Sequence, residues 1–339
     1  MKSQVRNLLS VMIPVSLFIA LIPTMVLGLG VQASPGTGIL YGTDANGGNL
    51  IRLNLSTGAS TLVGNIRGFS VPSLAVDPTT GIMYAGGGGG VPYIYTVDPV
   101  TGAATLVGDT GLGEVAVSGM DCSQDGTLYA AVNIVGLGGT GADHLATIDK
   151  ATGAATVIGP FGSCTGSSCT IEGIEGIAFD ASGTLWGSHS ARGAGGPPGL
   201  YLINPSTGAA TFVTPIMDAL GAPPSGGIVS IQFACDGTLY GGTARAIDQA
   251  TDGGRLVIIN PTTGLFEFVG TATATEDGSL GGLAFQNPCV IPPRPPPMPV
   301  VGGTVVGEDI FEVMMPWAAL AGLLALATGV GLVIRRRIN

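Results

Sequence analysis

The chain has 339 residues, of which 45% are hydrophobic and only 10% charged, with 58 glycines. This composition excludes a charge-driven disordered polymer, and so much glycine suits tight turns between strands better than long helices. The formal charge is −10. Residues 34–313 hold all 22 acids but only 7 of the 12 bases, a balance of −15 that excludes nucleic acid as a partner and favours solubility or cation binding.

Residues 1–33 read as a secretory signal peptide. Lys2 and Arg6 supply the basic start, Leu8 to Leu29 the apolar core, and Val31-Gln32-Ala33 a small-residue cleavage site. From Leu40 onward the chain repeats itself. Five copies of one pattern occur, IRLNLSTGASTLVG (51–64), YTVDPVTGAATLVG (95–108), ATIDKATGAATVIG (146–159), YLINPSTGAATFVT (201–214) and VIINPTTGLFEFVG (257–270). Each is an alternating apolar run, a turn of Asx, often Pro, then Thr-Gly, and a second apolar run. That is a β-hairpin: the Asx caps its own backbone and Gly takes the positive φ. The Thr-Gly anchors, Thr57, Thr101, Thr152, Thr207 and Thr263, lie 44, 51, 55 and 56 residues apart.

A further strand precedes each hairpin: LYGTD (40–44), MYAGG (83–87), LYAAV (128–132), LWGSH (185–189) and LYGGT (239–243). Before most of these comes another: SLAVD (73–77), VSGMDC (117–122), GIAFD (176–180) and IVSIQFAC (228–235). Four antiparallel strands per 40–50 residues make the blade of a β-propeller. The first repeat lacks its inner strand, and GSLGGLAF (278–285) supplies one after the last hairpin. The expected fold is therefore all-β, a five-bladed β-propeller over 34–289 with split-blade closure, which leaves no open sheet edge at the seam.

Residues 290–313, with VIPPRPPPMPV at their start, predict a Pro-rich stalk. Residues 314–334 contain no charge and are long enough to cross a bilayer as a transmembrane helix. Trp317 suits the interface, and Arg335-Arg336-Arg337 open a cytoplasmic tail (335–339) by the positive-inside rule. The expected location is a single-pass cell-membrane protein with the propeller outside.

The hairpins resemble those of secreted bacterial and archaeal β-propeller repeat proteins with the pattern Asx-Pro-x-Thr-Gly-Ala-x-Thr-x-Val-Gly, over Leu40 to Phe285. The tail VGGTVVGEDIFEVMMPWAALAGL is similar to the stalk-and-anchor ends of archaeal cell-surface proteins. The resemblance implies an extracellular scaffold and carries no catalytic residue set.

Five cysteines in an exported chain invite disulfides. Cys164 and Cys169 bracket a short Gly/Ser loop and could pair, and Cys235 and Cys289 could fasten the closing seam, leaving Cys122 as a buried small hydrophobe. His144 and His189 have no spacing to a Ser or Asp that suggests a catalytic triad, so they read as structural or surface residues. The acids Glu114, Glu172, Glu175 and Asp277 stand just before inner strands, where connections rim the channel mouth. Glu114 and Glu172 read as equivalent positions of adjacent blades. Such acids could form a plain solvated rim, bind calcium, the one cofactor that the pattern allows, or act as a general acid and base on a glycoside. No aromatic walls accompany them, which favours the cation. Asn54-Leu55-Ser56 fits a glycosylation acceptor, and Asn54 is also the hairpin Asx.

The connections between second and third strands, and between blades, vary most in length, so the face carrying them is the expected binding face. Phe69, Phe161, Met217, Arg192 and Arg245 are its candidate contact residues. The functional expectation is a membrane-anchored extracellular binding or surface-structural module, with an extracellular protein or glycan as partner and no nucleic acid. A carbohydrate-active propeller enzyme is the alternative.

Overall fold

The computed structural model of the protein describes residues 38–68, 70–133, 143–163, 170–190, 195–245, 252–275 and 278–286. They form five four-stranded antiparallel sheets. Blade I holds β1 (Leu40–Asp44), β2 (Asn49–Leu53) and β3 (Ser60–Asn65). Blade II holds β4 (Ser73–Val76), β5 (Met83–Gly86), β6 (Tyr93–Val97) and β7 (Ala104–Asp109). Blade III consists of β8 (Ala116–Cys122), β9 (Leu128–Asn133), β10 (His144–Ile148) and β11 (Ala155–Pro160). Blade IV consists of β12 (Ile174–Phe179), β13 (Leu185–His189), β14 (Gly199–Ile203) and β15 (Ala210–Thr214). Blade V contains β16 (Ile228–Phe233), β17 (Leu239–Thr243), β18 (Leu256–Ile259) and β19 (Phe266–Phe268), and β20 (Leu280–Phe285) closes the ring.

The closing strand β20 pairs antiparallel with β1, Leu40 opposite Phe285 and Tyr41 opposite Ala284, and completes blade I as its innermost strand. Inner strands β20, β4, β8, β12 and β16 pack on one another in a closed circle. The fold is a five-bladed β-propeller with a split blade.

Its core lies between the blades. Five clusters of buried apolar residues fill five seams, one each. The seam between blades V and I sets Tyr240 and Leu256 against Leu40, Leu280, Leu283 and Phe285. A blade removed would thus expose two clusters at once.

The structure also explains why four of the five repeats end in glycine. A Cβ on Gly108, at the end of β7, would collide with the carbonyl oxygen of Thr152 in the next blade's hairpin turn, and Gly153 of that turn lies against Gly108 in return. Gly64 meets Thr101 and Gly102, Gly159 meets Thr207 and Gly208, and Gly270 meets Thr57 across the closing seam. The turn glycine therefore does two things: Gly153 adopts a φ of 80°, and it admits the neighbouring blade.

The ring belongs to a compact unit spanning Met1–Ile291; Pro292–Asn339 forms a second unit, wholly outside the described residues. Among the described residues no helix is long and apolar enough to cross a membrane. The expected signal peptide, stalk and span all lie outside them.

Candidate functional site

Within each antiparallel blade, one face of the ring carries the turns inside the first and second strand pairs. The other carries the long connections. On this loop face the inner strands share a local irregularity. In β8 the pairing with β9 skips Ser118, in β12 the pairing with β13 skips Glu175, and in β16 the pairing with β17 skips Val229. In β20 the register slips at Gly281 and Gly282 opposite Thr43. These are β-bulges, which break the two-residue alternation and re-aim a side chain.

The bulged residues Ser118, Glu175, Val229 and Gly281, joined by Pro72 ahead of β4, line one depression of about 260 Å³ at the mouth of the axis. Asn46, Ser70, Asn133 and Ser279 add amides and hydroxyls to its wall. Among the described residues, Glu175 is the only charged one in that lining. Below it the axis is shut. The space between the five inner strands is about 10 Å³, room for about one water. A Cβ on Gly119 would strike the Glu175 carbonyl, and one on Gly282 the amide of Leu74, so the strands close on glycine. A ligand at the mouth binds in a bowl, not a tunnel.

The predicted acids separate. Glu175, half-buried, lines the bowl. Glu114 is exposed and outside the lining. Glu172 is half-buried and accepts a hydrogen bond from the Thr170 hydroxyl at 2.7 Å. Asp277 lies outside the described residues. Glu114 and Glu172 are not equivalent positions. Val117 pairs with Val132 and Ile174 with His189, which makes Val117 the counterpart of Ile174 and leaves the two acids one residue out of step.

Two acids that carried no sequence signal are the most perturbed. Asp143, just before β10, is 4% exposed and takes the Gly173 amide on Oδ2. Burial pushes its carboxyl up to about 6, and the charge of Glu172 adds to that. At the opposite mouth, Asp121 on β8 accepts a hydrogen bond from the Phe179 amide at 2.7 Å. Burial pushes it up to about 7 against that amide, the Cys122 amide and the Gln232 side chain. Tyr129, Trp186 and Tyr240 pair with Asp121, Ala178 and Gln232, so these three stand at one level of successive inner strands. The small Ala178 lets Gln232 reach Asp121. A cavity of about 40 Å³ adjoins them.

Cys122 is a free, buried thiol, and burial pushes it up, with Asp121 and Asp77 adding to the shift. It is inert, as a core cysteine should be. Cys235 is held in a disulfide; Cys164, Cys169 and Cys289, and so both expected pairings, fall outside the described residues. His189 is buried, with Nδ1 2.7 Å from the Ser190 carbonyl and Nε2 2.6 Å from that of Gly195, a structural post for its own loop. Phe161, expected as a surface contact, is instead fully buried. Its amide donates to Asp143 and its carbonyl accepts from Ala210, which folds it into the seam between blades III and IV. Arg245 is exposed and Met217 half-buried, while Phe69 and Arg192 lie outside the described residues. Among the described residues no group of three or more His, Cys, Asp or Glu is placed to hold a metal ion.

Fold and mouth together define a five-bladed β-propeller with a closed axis and a bowl on its loop face. No protein-family model and no curated protein matches the chain. Solved structures similar to it include a chain of the nidogen/laminin complex, at 13% identity over 75% of this chain and 84% of that one, TM-score 0.43. A gluconolactonase from Xanthomonas campestris is 12% identical over 71% and 73%, TM-score 0.44. A luciferin-regenerating enzyme is 13% identical over 71% and 74%, TM-score 0.42. At these identities the likeness extends neither to site residues nor to activity.

Proposed function

We propose that the protein is a binding module displayed outside the cell, anchored through 314–334 by the stalk 290–313, and that its ligand sits in the bowl around Glu175. The observation that carries this reading is the set of bulges. Four inner strands break register at one level, and each skipped residue lines the same bowl. Bulges concentrate where a sheet re-aims side chains for function. Strand β20 ends at Phe285, on the face opposite the bowl. The partner is an extracellular protein or glycan whose contacting group is small and neutral or cationic, to suit one carboxylate among amides and hydroxyls. Calcium is the cofactor that oxygen-rich lining would accept, and Cys235–Cys289 is the disulfide that would tie the exit to blade V.

Two measurements test this. Protease added to intact cells should release the propeller by cutting within 290–313; release only after membrane disruption would overturn the orientation. Calcium should raise the melting temperature of the parent and not of Glu175→Gln; an equal rise in both would remove Glu175 from the site.

One observation favours a hydrolytic reading. Asp143 is held up near neutrality beside Glu172, as a general acid must be. Against it, Asp143 is tied to the Gly173 amide and outside the bowl's lining. Turnover of a glycoside panel by the parent, lost in Asp143→Asn, would promote that reading over binding.

A further inference from the structure

We infer that Asn54 is an N-glycosylation acceptor, at the tip of blade I's hairpin and on the ring face opposite the bowl. The inference rests on the reading above that the ring is exported.

Five hairpin turns place an Asx at one equivalent position, Asn54, Asp98, Asp149, Asn204 and Asn260, and each side-chain oxygen caps the amide two residues on. Only one of the five can be glycosylated. Asp98 and Asp149 have no amide nitrogen, and Pro205 and Pro261 occupy the middle position after Asn204 and Asn260, where the acceptor motif excludes proline. Asn54-Leu55-Ser56 alone satisfies the motif.

The local geometry fits the chemistry. Asn54 is exposed, and its Oδ1 accepts hydrogen bonds from the amides of Ser56, at 2.9 Å, and Thr57, at 3.1 Å. Its backbone is fixed by bonds with Ala59 and Gly58, and Leu55 is packed against the core of the closing seam. The capping bonds polarise the carboxamide and loosen its N–H protons, while Nδ2 makes no hydrogen bond to the described residues. In the step, Nδ2 bonds to the anomeric carbon of a glycan carried on a polyprenyl phosphate or diphosphate. The bond from that carbon to the phosphate oxygen breaks, its electron pair leaving with the phosphate, and the amide gives one proton to a base of the membrane transferase.

Strand β20 ends in the same blade and on the same face, at Phe285. A glycan on Asn54, on the face opposite the bowl, would leave the bowl clear.

The test is peptide mass spectrometry on the full chain from its native membranes. Trypsin cuts after Arg52 and Arg67, so residues 53–67 isolate this site. The expected result is a peptide heavier by whole sugar residues, returning to its unmodified mass in both Asn54→Gln and Ser56→Ala. Ser56→Ala keeps the cap, since the donor is the backbone amide, and should melt as the parent does. An unmodified peptide 53–67 in protein that surface protease can reach would overturn the glycan alone. The same peptide unmodified in protein that protease cannot reach would overturn both the glycan and the export on which it depends. Sugar retained in Asn54→Gln would place it on a hydroxyl and overturn the assignment.

Discussion

Replacing Asp121 by asparagine should make the propeller more stable at neutral pH and less sensitive to pH. Asp121 sits 6% exposed at the end of the axis away from the bowl, raised to about 7 from the ordinary carboxyl value of 3.8. A folded-state value above the unfolded one means the native protein holds a proton that the unfolded chain has released. Stability is then full below about pH 4, falls as pH rises, and levels off above about pH 7. Three pKa units correspond to about 4 kcal/mol across that window. Asparagine keeps the acceptor for the Phe179 amide, and a flip of the Gln232 amide turns its buried, partnerless Oε1 to the new NH₂. Denaturant unfolding of parent and Asp121→Asn from pH 4 to pH 8 should give curves that meet near pH 4 and separate by a few kcal/mol at pH 8. Curves that stay parallel throughout would refute the buried, protonated carboxyl.

Deleting β20 should unfold the ring rather than trim it: Leu280, Leu283 and Phe285 are all buried in the closing seam, and at about 1.5–3 kcal/mol each their loss rivals the whole stability of a domain. An unchanged melting curve would contradict split-blade closure. Gly108→Ala forces a Cβ into the Thr152 carbonyl and should cost about 2 kcal/mol or more, whereas Gly68→Ala, with open space around it, should stay within about 0.5 kcal/mol. Thermal melts of the two variants check this. Lys150 reaches from blade III to Asp77 of blade II at 2.6 Å, with Asp77 fully buried. Burial alone would raise Asp77, yet Lys150 and Thr79 hold it at about 2. Lys150→Met should cost about 1–3 kcal/mol at pH 7, a loss that shrinks as pH falls from about 4 through 2 and the Asp77 carboxylate is neutralised. A pH-independent loss would assign Lys150 a packing role only.

The strands and the split closure were legible because they rest on local signals, two-residue alternation and Asx/Thr-Gly turns. Both recur five times and correct each other. Glu175 was legible as a rim acid but not as the one that lines the bowl. A bulge adds a residue without changing the apolar pattern around it, so IEGIEGIAF does not show which glutamate is displaced. Glu114 and Glu172 fall out of step for another reason: counting from the strand ends sets Cys122 against Asp180, but its pairing with Leu128 makes it the counterpart of Phe179, which pairs with Leu185. Asp121 and Gln232 meet across an intervening blade, and only the ring's register brings them level. Phe161 follows a strand end, where sequence suggests an exposed loop, but two backbone bonds fold it inward. The repeat's glycines advertised turn geometry while concealing that each also admits the next blade.

The central claim, that the bowl on the loop face takes the ligand, is tested most directly by filling it. Ser118→Trp would place an indole among the bulged residues, while Ala151→Trp puts the same bulk on an exposed turn of the opposite face. Both variants and the parent would be probed on one array of glycans and surface proteins. Ligands should be bound by the parent and by Ala151→Trp and lost in Ser118→Trp. Binding that survives Ser118→Trp and disappears in Ala151→Trp would move the site to the other face and contradict the claim.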